Sequence, residues 1–540
     1  MTGAEAMVKC LEHEGARVIF GYPGAAICPF YDALLPSPIH HVLVRSEQNA
    51  AHSASGYARM TGTVGVCIAT SGPGATNLLT GIATAYMDSI PMVAITGQVR
   101  SDLLGSDVFQ EADTTGAAEP FTKHTYLVKN AKDLARVLRE AFHIASTGRP
   151  GPVLVDVPVD VQLAQAGEPD FDAPINIIGY KPSVQGHALQ IKKAVDAIEA
   201  AARPVICAGG GVLGAEACGE LRELAERRGI PVVHTMMGIG TLPTAHPLAL
   251  GMIGSHGVVA ANKAIRDADL IILAGARVGD RSVAAPDQVA KRAKIIHIDI
   301  DPAEIGKNMA VNVPIVGHLR GVLAALGESV GRRAPEEWVR QVTDRRERYA
   351  TAEHGDKPSG FVNPMLFMRS LSRLMKDDAV LCADVGQNQI WSANHFEIRS
   401  SRFLTTGGMG TMGYSIPCAA GAALADGRRQ VCAVCGDGSF QMEMAELATI
   451  CQERLPVKIV VMRNTRLGMV REIQDNLYKG QHSAVYLDGS PDITKIALAY
   501  GIPARSVDCQ DEAEGAISDM LAHDGPYLLE CVCPPDFPSL

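Results

Sequence analysis

No stretch of this chain holds eighteen consecutive apolar residues, so no segment can cross a bilayer as a helix. The opening MTGAEAMVKC lacks a basic segment running into an apolar one, which speaks against a secretory leader. Basic residues are in deficit: 49 Lys and Arg against 59 Asp and Glu give a net charge of −10, a poor match for nucleic acid. The 13 cysteines lack a framework spacing. The pair Cys432-x-x-Cys435 falls inside an apolar run rather than on a loop. It reads as two small hydrophobes, not a redox pair or metal site, and a reducing cytoplasm is the expected setting.

What is present suits large packed cores. The chain has 540 residues, enough for about three domains, and is 47% hydrophobic and 20% charged. Residues 1–165 alternate helical patterns (5–14, 49–60) with apolar runs (17–20, 42–44, 64–69, 92–95, 153–157). A Pro-, Gly- and Asp-containing linker at 165–185 precedes a second domain, 186–326, with a strand at 205–208. A charged segment, 328–360, with a helical pattern at 336–349, reads as a solvated linker. The third domain, 360–540, has strands at 380–383, 431–435, 457–462 and 527–532. Strands separated by helices predict an α/β fold: three domains, each a mostly parallel sheet flanked by helices.

Residues 429–470 carry the sharpest chemical pattern. The apolar run 431–435 turns at Gly436-Asp437-Gly438. A helical pattern follows that puts Met442, Leu447 and Ile450 on one face, and a second apolar run ends before Asn464. Strand, helix, strand predicts a βαβ unit, with Asp437 and Asn464 at the carboxyl ends of adjacent or near-adjacent parallel strands, where open α/β sheets bind ligands. A carboxylate, an amide oxygen, a backbone carbonyl and two phosphate oxygens together suit Mg²⁺, and the glycines admit phosphate to backbone N–H groups. A tight turn with Asp as helix cap is the simpler reading of GDG alone.

GDGS followed by an Asn after the next strand, with GGMGTMG upstream and LGMV downstream, resembles the thiamine diphosphate-dependent enzymes, and among them the acetohydroxyacid (acetolactate) synthase catalytic subunits. The likeness covers nearly the whole chain and implies the thiamine diphosphate-binding fold, with a pyrimidine-binding first domain, an FAD-type middle domain and a pyrophosphate/Mg-binding third. The implied metal ligands are Asp437, Asn464 and Arg466. Thiamine diphosphate is expected against Pro73, Asn77, Val385, Gly386, Gln387, Asn388, Gly410, Met412, Gly436, Gly438, Ser439, Met442, Gly468, Met469 and Val470. Met412, otherwise a gap filler, is implied to wedge the cofactor into its bent shape.

Glu47 opens a helix, where an acid complements the dipole. The segment RSEQNAAHSASGYARMTG resembles the family segment whose glutamate hydrogen-bonds the cofactor's pyrimidine and shuttles its proton. In the family this glutamate and the phosphate-binding domain come from different subunits, which implies a homodimer or dimer of dimers with sites at the interface. Gln110, beside Phe109, and Lys123 match substrate-facing positions; by residue type alone each would be a surface group. Arg281 is the candidate for gripping the carboxylate of an acceptor 2-keto acid. The loop after Val470 is a candidate lid.

Gly209 to Gly214 satisfies G-x-G-x-x-G after a strand, but the next strand ends in His234-Thr235 without the acid an NAD site needs. The resemblance implies FAD instead, without an obligatory redox role, against Arg149, Gly209, Gly210, Gly211, Thr235, Gly254, His256, Gly275, Arg277, Asp299 and Ile300. Departures from the family pattern are Arg463 for an Asn, Gly279 for an Asp, His318 for an Asp, Ser255 for a Met and Ile473 for a Trp. The expected activity is decarboxylation of pyruvate and ligation to a second 2-keto acid, giving 2-acetolactate, with weakened preference for 2-ketobutyrate given Ile473. The alternatives are a 2-keto acid decarboxylase, a pyruvate oxidase and an inactive paralogue. A small regulatory subunit is the further partner the family implies.

Overall fold

The computed structural model describes residues 1–171, 173–350 and 360–540, so the expected linkers at 165–185 and 328–360 lie partly outside the described residues. It contains three six-stranded sheets whose strand pairings are parallel throughout. The first comprises β1 (Val18–Tyr22), β2 (His40–Leu43), β3 (Gly65–Ala69), β4 (Met92–Gln98), β5 (His124–Leu127) and β6 (Pro152–Pro158), in the order β2-β1-β3-β4-β6-β5. The strands are apolar on both faces because both are covered. Ile19, Ile68, Val93 and Val155 face one core with the helices Gly3–His13 and Leu134–Ser146. Phe20, Cys67, Met92 and Leu154 face another with the helix Glu47–Thr61.

The middle sheet holds β7 (Pro204–Ala208), β8 (Val232–His234), β9 (Ala249–Met252), β10 (Leu270–Ala274), β11 (Lys294–Asp299) and β12 (Val313–Val316). Its order, β9-β8-β7-β10-β11-β12, is the 3-2-1-4-5-6 arrangement that takes dinucleotides where the order reverses, here between β7 and β10. The third sheet holds β13 (Val380–Ala383), β14 (Arg402–Leu404), β15 (Val431–Gly436), β16 (Lys458–Arg463), β17 (Ala504–Val507) and β18 (Tyr527–Val532), ordered β14-β13-β15-β16-β18-β17. That order repeats the first sheet's, strand for strand.

The two matching domains meet through equivalent helices, each lying between its domain's second and third strands: Glu47–Thr61 and Ser415–Ala425. The crossing is reciprocal. A Cβ on Gly56 would lie 2.1 Å from the Cys418 carbonyl oxygen, and one on Gly421 would lie 1.9 Å from that of Ser53. Only glycine permits this approach, and the contact fixes the first domain, with Glu47 at the head of its helix, against the third.

Candidate functional site

Asp437 is where the third sheet's order switches. It heads the helix Asp437–Glu443 directly after β15, and Asn464 follows β16, the strand paired with β15. The βαβ reading therefore holds. The helix does not: it breaks into Asp437–Glu443, a 3₁₀ turn Met444–Glu446 and Leu447–Gln452. The break turns Met442 outward, 58% exposed, while Leu447 and Ile450 stay buried, so the expected common face is corrected.

Asp437 is buried, and its carboxylate is met by backbone donors: Gly438 N–H to Oδ1 at 3.0 Å and Thr465 N–H to Oδ2 at 2.7 Å. Thr465 makes the second bond because it sits at φ +56°, curling residues 464–466 back toward the aspartate. Burial raises the Asp437 pKa to about 6. Asn464 accepts the Arg466 N–H on Oδ1 at 3.0 Å and donates from Nδ2 to Gln387 Oε1 at 2.9 Å, which fixes the amide's orientation. Gln387 donates to Glu472 Oε1 (2.9 Å) and the Phe537 carbonyl (2.8 Å); Glu472 in turn accepts from Ser539 N–H at 2.7 Å. The whole Gln387 amide is thus engaged with protein. Gly468 is needed here: its Cβ would fall 1.8 Å from Gln387 Oε1.

Val385, Gly386 and Asn388 follow β13 on the other side of the switch, where Asn388 donates to the Asp384 carbonyl. The buried Asp384 carboxylate collects N–H groups from Val385, Gly413 and Ser415 (2.8–2.9 Å), tying this loop to the Gly410–Met412 turn; burial raises its pKa. Ser439 donates to the Val385 carbonyl, and the Met412 methyl lies near Gly438. Met469 is half-buried at the start of the helix Gly468–Leu477. That helix occupies the first half of the expected lid, so only residues beyond Tyr478 form a loop. Val470, Ile473 and Leu477 make an exposed apolar stripe along it.

A second group gathers at the switch of the first sheet. Asn77 donates to Glu47 Oε2 at 3.0 Å, and Gly74, next to Pro73, lies against Glu47 Oε1. Gln110, at φ +59°, packs against Gly72. Among the described residues no hydrogen bond or ion pair joins this group to Asp437 or Asn464. Lys123 is not brought to it. Its ammonium bonds the carbonyls of Ile144 and Thr147 and the Tyr180 hydroxyl, closing a helix end; burial lowers its pKa to about 8. Arg281 is exposed, with Asp280 as its ion-pair partner at 3.7 Å.

The middle domain's candidates ring the carboxyl ends of its strands. Gly209 and Gly211 after β7 press on Gly275 after β10: a Cβ on Gly209 would lie 2.2 Å from the Gly275 carbonyl oxygen. Thr235 follows β8, and Asp299 and Ile300 close β11. Arg277 is half-buried, its pKa lowered by partial desolvation, and no ion pair to it occurs among the described residues. Arg149 reaches across from the first domain to Glu304 (2.8 Å) and Asp301 (3.3 Å). Gly254, at φ +108°, and Ser255 clasp the Arg281 carbonyl, and Asn394 of the third domain bonds the His256 carbonyl. Arg463, an outlier in the sequence pattern, pairs with buried Glu530 on β18 at 3.5 Å. Asp384 and Glu472 went unmarked in the sequence. The first could have been found as an acid ending a strand; the second carries no local signal.

Three family models match the chain: the N-terminal TPP binding domain of thiamine pyrophosphate enzymes over residues 1–117, their central domain over 191–326 and their C-terminal TPP binding domain over 384–531. Similar proteins include a probable acetolactate synthase large subunit of Methanocaldococcus jannaschii, 46% identical over 99% of this chain and 92% of its own. The acetolactate synthase large subunits of Corynebacterium glutamicum (46%; 98% and 87%) and Haemophilus influenzae (42%; 97% and 92%) are similar over comparable spans.

Proposed function

This chain belongs to the acetolactate synthase large-subunit family of thiamine pyrophosphate enzymes, and from that premise we propose that it decarboxylates pyruvate and joins the two-carbon unit to a second 2-keto acid, giving 2-acetolactate for branched-chain amino acid synthesis. The observation that carries this is the buried Asp437 carboxylate, held by N–H donors beside an orientation-locked Asn464 at a sheet switch point. A buried carboxylate held by two N–H groups, with no ion pair among the described residues, suits a cation ligand. With the Arg466 carbonyl, Asp437 and Asn464 would hold Mg²⁺ and leave places for diphosphate oxygens. Bound thiamine diphosphate would supply the electron sink for decarboxylation.

The chain's own residues do the rest. Asn77 holds one oxygen of Glu47 and leaves Oε1 to hold or pass a proton. Gln110 packs against Gly72, two residues before Gly74, which lies against Glu47 Oε1. Arg281, weakly paired, is available to grip the acceptor's carboxylate and favour ligation over protonation. FAD is assigned to the β7/β10 switch, supported by the glycine contact there and by Arg277, a half-buried cation suited to a diphosphate.

A homodimer or dimer of dimers, with each site shared between chains, is the assembly we propose; the exposed stripe of Val470, Ile473 and Leu477, together with Met442 and Phe109 (86% exposed), supports it. A small regulatory subunit is carried over from the relatives' naming as large subunits. A cytoplasmic setting is supported by 13 unpaired cysteines and by the absence, among the described residues, of a helix long and apolar enough to cross a membrane.

The test is pyruvate turnover with product identification, with Mg²⁺ and thiamine diphosphate supplied. Acetolactate is expected, and Asp437→Ala and Glu47→Gln should each lose it. Acetaldehyde or acetyl phosphate as the main product would overturn the synthase reading. Strong 2-ketobutyrate preference in competition would overturn the role given to Ile473.

A further inference from the structure

We propose that Glu446 is a positioning residue for Glu47: with Thr449 and Gln452 it forms a stripe on the third domain that fixes the turn carrying that glutamate. The proposal rests on the role given to Glu47 above. Glu47 stands in the first turn of its helix, and the Ser46 side chain makes no capping bond, so locally the turn is held only by the Asn49 and Ala50 N–H bonds to the Ser46 carbonyl.

The lock comes from the other domain. Glu446 Oε2 accepts the Arg45 N–H at 3.1 Å and the Asn49 side-chain amide at 2.8 Å, two residues before and two residues after Glu47. Thr449 donates to the Leu43 carbonyl at 3.2 Å, and Gln452 accepts from Arg45 at 2.9 Å. Positions 446, 449 and 452 recur every three residues and so share one helical face. Together they grip residues 43–49, the whole connection from β2 into the helix.

Glu446 is fully buried, and its second oxygen, Oε1, has no hydrogen-bond partner. A half-satisfied buried acid is a poor choice for stability alone. What it does provide is a fixed point on either side of Glu47. The gripping stripe also continues the run that begins at Asp437 and passes through the 3₁₀ turn Met444–Glu446. The element that starts at the proposed metal ligand therefore ends by holding the proposed proton-handling turn.

The experiment compares Glu446→Ala, Glu446→Gln and Glu47→Gln. In Glu446→Ala, pyruvate turnover should fall on the order of 100-fold, the usual penalty for about 1 Å of misplacement. The KM for pyruvate and Mn²⁺ affinity should stay at parental values. Backbone amide exchange in the cofactor-free protein should accelerate over residues 43–52 and nowhere else. Glu446→Gln should recover most of the turnover, because its amide oxygen can accept both donors. Parental turnover or unchanged exchange in Glu446→Ala, exchange accelerated throughout the chain, or a Gln variant as impaired as Ala would each overturn the proposal. If Glu47→Gln loses turnover while Glu446→Ala does not, only the positioning role fails; if Glu47→Gln keeps turnover, the reading of Glu47 fails and the proposal with it.

Discussion

A methyl group on Gly421 would lie 1.9 Å from the Ser53 carbonyl oxygen, 2.8 Å from the Ser53 carbonyl carbon and 3.0 Å from the Tyr57 nitrogen. All three are backbone atoms of the helix Glu47–Thr61, so no side chain can rotate away. Bringing the shortest contact to 3.0 Å requires the helices to part by 3.0 − 1.9 = 1.1 Å. Overpacking of this kind costs about 1–3 kcal/mol, and the helix preference for Ala over Gly returns up to about 1 kcal/mol, so a net loss of at most about 3 kcal/mol is expected. The catalytic effect should be larger, since the displaced helix starts at Glu47 and about 1 Å of misplacement costs on the order of 100-fold in rate. Gly515, in the helix Ala513–Ala522 with nothing within 4 Å of its Cβ position, is the control: alanine there should leave turnover intact and raise stability slightly. Turnover at saturating cofactor and thermal melting of Gly421→Ala, Gly56→Ala and Gly515→Ala decide the matter. If Gly421→Ala behaves like Gly515→Ala in both assays, the crossing does not fix Glu47.

Glu472→Ala removes the acceptor that holds Gln387 against Asn464, and should weaken Mn²⁺ binding about 10–100-fold by electron paramagnetic resonance titration, as loss of an outer-shell partner does; unchanged affinity would refute the relay. Burial raises the Glu443 pKa from 4.5 to about 8. The folded form therefore keeps a proton that the unfolded form has lost between those values, and stability falls as pH rises through that window. Glu443→Gln should match the parent near pH 4.5 and exceed it at pH 8 in denaturant melts; parallel curves would refute this. Burial pushes the Cys432 thiol up to about 12, so a thiol reagent on native protein should label exposed Cys28 and Cys509 and spare Cys432 and Cys435.

Much of this was legible because buried parallel strands are apolar on both faces and stand out as runs. The runs at 380–383 and 527–532 match β13 and β18, while 92–95 stops short of β4. Thr96, Gly97 and Gln98 read as the end of a strand, yet pairing with β6 continues through all three. The edge strands β5, β14 and β17 are short and partly exposed, so they carry no such signal. Asp437 and Asn464 could be found from their spacing because the βαβ unit is local. Glu446 and Glu472 could not, because what gives them meaning lies 401 and 85 residues away, at Arg45 and Gln387. The outward turn of Met442 was hidden too: a helical period persists across a 3₁₀ break even though the face does not.

The tail contacts have a practical side. Asp536 pairs with Arg471, the Phe537 carbonyl holds Gln387, the Pro538 carbonyl accepts from Trp391 Nε1 at 2.8 Å, and Ser539 is bound to Glu472. Loosening residues 536–539 would release Gln387 and Glu472, the two groups that orient Asn464. Trp391 fluorescence, read in a Trp338→Phe background because Trp338 is the second tryptophan, gauges whether that wrapping has survived.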